Sequence, residues 1–257
     1  MDALREVYNY REMIFMLVRR DLCSRYKRSV LGFAWTFLNP LLQLLVYTLV
    51  FSVVMRSGIE RYYLFLFVAL IPWLAMAGSV NNGSTCIITQ ANMIKKIYFP
   101  RQVLPIAAVT TNFVNMFLSM LVVLAVCAFS IGLKASLLWY LIPVFFIEYI
   151  LALGIALLVS ALTVYFRDLQ YMLTILTMAW QFLSPVIYSA EMVPERLRGL
   201  FMLNPMTSIL ISFRDVLYYK QAPALETTLL ALGMGFFFLL VGWAVFTKLE
   251  KRFAEEL

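Results

Sequence analysis

The chain has 257 residues, 63% of them hydrophobic and only 14% charged, with a mean hydropathy of +0.86 and a formal net charge of +7. Soluble domains run at roughly 45–50% apolar and about 25% charged, so a water-soluble fold of this size could not hide so much apolar surface. Histidine is absent and the three cysteines make no framework, which removes the commonest metal ligand, the commonest general base and a disulfide scaffold.

The first 28 residues carry Arg5, Arg11, Arg19, Arg20, Arg25, Lys27 and Arg28 where a signal peptide would place its apolar core, so the first span is expected to be an uncleaved anchor. Leu4, Val7, Tyr8, Ile14, Leu17 and Val18 recur at near-helical spacing between these cations. That pattern predicts a basic amphipathic helix in the membrane interface. It serves either as an anchor on anionic lipid or as a collar that meets an anionic headgroup or a partner.

Charge-free runs then follow at 29–55, 62–94, 102–133, 149–166, 169–190 and 227–247, the shortest of them 18 residues. A bilayer-spanning helix needs roughly 20 apolar residues, and these runs lack the apolar/polar dyads of a membrane barrel. Six helical spans are expected, over 33–55, 62–84, 103–131, 138–163, 171–189 and 227–247. The first 32 residues form an interface helix and 33–257 one transmembrane domain. Fourteen lysines and arginines fall on the side of the termini against seven opposite, so both ends are expected in the cytoplasm.

The loop after span 2, ANMIKKIYFPRQVLPIAAV, reads as a short cytoplasmic helix with two lysines, stopped by Pro100. Within the spans, Asn112 and Asn115 share a helix face, and Gln43, Tyr47, Trp180, Gln181, Phe182, Ser184 and Tyr188 add amides, hydroxyls and rings. Such groups serve interhelical hydrogen bonds and aromatic belts, or line a pathway for a sugar chain. Glu148 is an isolated ionisable group inside a span, read most simply as a carboxylate near the interface bonded to a neighbouring helix. It supplies neither an acid/base pair nor a proton relay, which argues against an enzyme and against a proton-coupled carrier.

Between spans 5 and 6, Pro194 is expected to open one short helix, and Asn204–Pro205 to cap and open a second. The second places Ile209, Leu210, Phe213, Val216 and Leu217 on an apolar face and Arg214, Asp215 and Lys220 on another. The pair is expected to dip into, or lie upon, the outer leaflet. Gly78, Gly83, Ser84 and Thr85 have phosphate-loop spacing, but Ser84 stands where that loop needs lysine. Gly233 and Gly235 lack a third glycine and suit close helix packing instead. Any ATP must be bound by another subunit.

Together with RYKRSVLGFAWTFLNPLLQLLVYTLVFS, VYFRDLQYML, SPVIY, LNPMTSIL and KLEKR, the IYFPR loop gives a resemblance over essentially the whole chain. The sequence resembles the ABC-2 type permeases that export cell-surface polysaccharides such as O-antigen, teichoic acid and capsule. The resemblance implies an all-α homodimer of six-span subunits in a bacterial plasma membrane, joined to two ATP-binding subunits and moving an undecaprenyl-linked polymer. ATP and Mg would sit on the partner, with no catalytic residue, metal or cofactor on this chain and no nucleic-acid partner. It also implies a coupling helix at Asn92, Met93, Ile94, Lys95, Lys96, Ile97, Tyr98 and Phe99, and a lipid-pyrophosphate entrance at Arg19, Arg20, Arg25, Lys27 and Arg28. The two short helices after span 5 resemble the family's paired re-entrant helices. Aromatic channel lining is expected at Tyr47, Trp180, Phe182 and Tyr188. Rival readings are an ABC-2 permease for lipids or drugs and a membrane enzyme acting on lipid-linked sugars.

Overall fold

A computed structural model describes residues 2–26, 31–50 and 58–257, and among these every regular element is helical. The N-terminal arm is α1 (Asp2–Asn9) and α2 (Arg11–Tyr26), broken at Tyr10. There follow α3 (Trp35–Thr48), α4 (Tyr62–Thr89), the single turn α5 (Ala91–Ile94), α6 (Val103–Ser130), α7 (Leu141–Tyr165) and α8 (Leu169–Phe182). The chain ends with α9 (Glu195–Met202), α10 (Pro205–Arg214), α11 (Leu225–Leu249) and α12 (Phe253–Glu256).

Four of these helices, α4, α6, α7 and α11, are long and apolar enough to cross a bilayer, and the α9/α10 pair, bent by 98°, passes the same test when taken as one span. Their bounds agree with expectation within a few residues, α4 running on five residues to Thr89. The two remaining expected spans differ. The described helix of the first is α3, continued by a turn at 49–50, with residues 51–57 outside the described part. The fifth stops at Phe182, not at 189: α8 has 14 residues, about 21 Å of helix. Pro185 has no amide to continue the ladder and disfavours helical backbone at Ser184, so the chain turns there.

Helix α4 is the axis of the bundle. Its apolar window is 78% buried against 22% for α11, so α4 is wrapped by protein while α11 lies at the periphery. Leu64 through Ile71 are all 2% exposed or less, packed by α6, α7 and α10. An all-round apolar helix is what such a site requires.

Where no water drives helices together, close backbone approach decides packing. The tightest seam is α7 on α11: a Cβ on Gly154 would meet the Phe238 carbonyl, and one on Gly242 the Gly154 carbonyl oxygen. At Gly235, expected to permit packing, an added Cβ would lie 3.4 Å from the Ile147 oxygen, whereas one on Gly233 would face open space. Gly242→Leu should therefore part the two helices and cost about 1–3 kcal/mol. A fall in the melting temperature of the solubilised protein, with Gly233→Leu unchanged, checks this.

Candidate functional site

Both chain termini gather at one end of the bundle around the 90–102 loop. Helix α4 gives out at Gln90, α5 makes one turn, and past Lys95, which still has helical backbone, the chain turns out of the helix. The expected helix over 92–99 is thus confined to Asn92–Ile94, and Pro100, which donates no amide and disfavours helical backbone at Phe99, keeps the helix from resuming before the loop ends. Ile94 and Phe99 are buried, 8% and 4% exposed, and pin the two ends of the loop. Between them Lys95 and Lys96 are exposed, Ile97 is 60% exposed and Tyr98 82%. A buried pair of hydrophobic feet therefore presents two cations, an aliphatic and an aromatic outward.

The arm and the C-terminal segment close on this loop. Tyr98 Oη donates to Glu6 Oε1 at 3.4 Å, Tyr10 Oη to the Tyr98 carbonyl at 3.5 Å, and Gln102 Nε2 to Glu250 Oε1 at 3.0 Å. The Glu6 carboxylate raises the Tyr98 phenol above its ordinary pKa. Arg101 donates to the Glu250 carbonyl, which satisfies an orphan acceptor beyond the α11 C-terminus. A cavity of ≈ 550 Å³ lies among Glu6, Lys95, Lys96, Tyr98, Arg101 and Lys251.

Of the expected anion-entrance residues, Arg19 is exposed and Arg20 is engaged: its guanidinium donates to Asp21 Oδ1 at 3.1 Å and reaches Gln90 Oε1 at 3.4 Å. The side chain of Arg25 and all of Lys27 and Arg28 lie outside the described residues. Asp21, not singled out from sequence, offsets part of the arm's charge beside a ≈ 230 Å³ cavity shared with Ser24, Asn82, Thr85 and Thr111. Of the expected apolar face, Leu17 and Val18 are buried but Tyr8 is 66% exposed; outside that face, Phe15 and Met16 are exposed at 64% and 62%. The arm is therefore amphipathic in part only.

Arg214 dominates the opposite end. Expected on a polar face, it is 3% exposed, and Asp215 beside it 7%. Arg214 Nε donates to the Phe65 carbonyl at 3.2 Å, Nη1 to Pro185 at 2.5 Å and Tyr188 at 3.3 Å, and Nη2 to Val186 at 2.7 Å. Its Cζ stands 3.6 Å from the Phe65 ring centroid, a cation–π contact. One fork of donors thus gathers the carbonyls that Pro185 and the end of α8 leave unpaired. Tyr62 Oη serves the Ile187 carbonyl at 2.8 Å, completing SPVIY as a cluster of acceptors. Asn204 is the expected cap: Oδ1 accepts from Met206 N at 3.1 Å, and Nδ2 donates to Ser184 Oγ at 2.8 Å.

Of the expected channel aromatics, Trp180 and Tyr188 share an apolar cavity of ≈ 630 Å³ with Leu183, Leu197 and Phe238. Both also hold local structure: Trp180 Nε1 donates to Asn204 Oδ1 at 2.9 Å and Tyr188 Oη to the Phe182 carbonyl at 2.9 Å. Phe182, 52% exposed, and Tyr47, half-buried in the core, do not line that cavity. Asn112 and Asn115 do share a face, lining a ≈ 200 Å³ cavity of mixed polarity with Asn39 and Gln43 from α3. Glu148 corrects its reading: it is 0% exposed, and neither oxygen has a hydrogen-bond partner among the described residues.

A helical bundle with four bilayer-length apolar helices and a displayed, pinned loop at the end where its termini meet is an integral membrane protein. A model of the ABC-2 type transporter family matches residues 12–218, and the chain belongs to that family. It is 36% identical to the O-antigen export system permease protein RfbA of Myxococcus xanthus, the match covering 99% of this chain and 98% of the relative. It is 35% identical to an O-antigen export system permease protein RfbA of Klebsiella pneumoniae, over 96% and 95% of the two chains. Against the capsule polysaccharide export inner-membrane protein CtrC of Neisseria meningitidis, identity is 21% over 94% and 92%.

Proposed function

We propose that this chain is the membrane permease of an ABC exporter that moves a lipid-linked cell-surface polysaccharide out of the cytoplasm, driven by a separate ATPase subunit. Near end-to-end similarity to O-antigen export permeases carries the reading. In it, α3 and α8 complete six crossings, the termini lie in the cytoplasm of the cell's inner membrane, and α9/α10 is a re-entrant pair on the outer side. Leu41, Leu42 and Leu45 on α3 and Tyr171, Ile175 and Met178 on α8 are exposed apolar residues that suit a second copy of the chain. The 92–99 loop is the ATPase-docking element, and its closure is passed to the arm through Tyr98, Tyr10 and Glu6. The separate ATPase holds ATP and Mg.

Depleting the protein in its host should strip polysaccharide from the cell surface and accumulate lipid-linked polymer inside, with rescue by the wild-type chain. Undiminished surface polysaccharide would refute the reading, and loss of drug or lipid efflux instead would favour another ABC-2 cargo. Within it, the five arm cations receive the carrier's pyrophosphate. Replacing Arg19, Arg20, Arg25, Lys27 and Arg28 with glutamine should weaken binding of the lipid-linked polymer by more than about tenfold, as each cation near an anionic surface contributes about 1 kcal/mol. Binding left intact would reduce the arm to an anchor.

A further inference from the structure

At the Arg214 end of the bundle, a second cavity, ≈ 490 Å³, opens between α9, α10 and the 189–191 turn. Its charged groups are Glu191 and Asp215 against Arg198 and Arg214, so they balance. Arg214 is already committed to four carbonyls. Asp215, 7% exposed, accepts from Gln221 Nε2 at 2.7 Å through Oδ1, and no described residue donates to its Oδ2. Tyr219, 48% exposed, and Phe201 put ring surface on the same wall. The backbone here is unusual: Asp215–Tyr219 is a π-turn closed by the Lys220 amide on the Asp215 carbonyl, which also accepts from the Gln221 amide at 2.8 Å. Single π-turns of this kind concentrate at functional sites.

Volume and chemistry narrow the ligand. Small-molecule sites span about 300–1,000 Å³, and this one falls inside that range. A phosphate or pyrophosphate needs surplus positive charge, which the balanced lining does not offer. A neutral polyol does not need it. The C–H face of a pyranose stacks on an aromatic ring, while its vicinal hydroxyls donate to a carboxylate and accept from an amide or guanidinium. Glu191, Asp215, Gln221 and Arg198 beside Tyr219 and Phe201 supply that set.

We infer that this cavity is a saccharide-binding site for uncharged sugar units of the exported polymer as it leaves the conduit. The inference rests on the export reading for its ligand and its side of the membrane, but not for its chemistry. The test is equilibrium binding to the full-length chain in lipid nanodiscs. The probes are delipidated polysaccharide fragments released by mild acid from the host's own envelope, and inorganic pyrophosphate. Fragments should bind, pyrophosphate should not displace them, and Glu191→Gln and Gln221→Ala should each weaken fragment binding about three- to tenfold. Both side chains are exposed, so the variants keep the fold, which the melting temperature verifies. Variants that bind fragments as wild type does, or displacement by pyrophosphate, would overturn the site. The two readings fail separately. Loss of export on depletion with unaltered variant binding removes the site alone, while weakened variant binding in a chain whose depletion leaves export intact removes the export reading alone.

Discussion

An Arg214→Met protein is expected to lose at least about 3 kcal/mol of stability, because the buried carbonyls of Pro185 and Val186 and the half-buried one of Tyr188 would be left without a donor at about 1–3 kcal/mol each. The Phe65 carbonyl keeps its helical partner and is not counted. Methionine fills much of the same volume, so the loss reports donors and not a cavity. At about 2–4 °C per kcal/mol for a chain of this size, the melting temperature of the solubilised protein should fall by about 6–12 °C. Arg214→Lys should lie between, since an ammonium places its donors around a single nitrogen and cannot span carbonyls on both sides of a planar fork. A methionine variant that melts with wild type would mean that the 185–188 turn finds other donors, and Arg214 would lose its place as the clamp.

That clamp also explains which parts of the chain were legible from its sequence. The long apolar runs announced α4, α6, α7 and α11 within a few residues, because a fully apolar helix needs no partner to be recognised. Asn204–Pro205 announced the start of α10, since a capping side chain and a first-turn proline act within their own four residues. Arg214 could not be read in this way. Its partners lie 26–149 positions away in sequence, and an arginine followed by an aspartate on an otherwise apolar helix has the same pattern whether it faces water or a set of carbonyls. The same holds for Arg61 and Lys220. Both adopt left-handed backbone, at φ 48° and 57°, and donate to the carbonyls of Ser130 and Ile131 at the end of α6. Of the seven cations counted away from the termini, at least these three are therefore spent on helix ends. Asp21, adjacent to Arg20, was visible in the sequence, and its pairing could have been anticipated. The early end of α8 was marked in the sequence by Pro185, whereas the break at Tyr10 has no marker in the periodicity.

The loop over 92–99 yields the other large expected effect, and here the structure separates fold from function. Ile94 and Phe99 carry the burial, so the four residues between them are free to change without disturbing the core. Lys95→Glu combined with Lys96→Glu should leave the melting temperature and the amount of protein in the membrane as they are. Against a partner surface that is complementary to two cations, the reversal creates like-charge contacts worth several kcal/mol, so ATPase stimulation and polymer export should both fall at least about tenfold. Raising salt should weaken the wild-type pairing, because exposed charges are screened over about 10 Å at 0.1 M. Tyr98 divides the two roles further. Tyr98→Phe keeps the exposed ring for docking but removes the hydrogen bond to Glu6, so ATPase assembly should persist while its linkage to the arm loosens, seen as ATP hydrolysis that no longer rises with lipid-linked polymer. Tyr98→Ala should weaken assembly itself. Export at wild-type rates in the double charge reversal would move the docking site away from this loop altogether, and the exposure of Ile97 and Tyr98 would then need another partner to explain it.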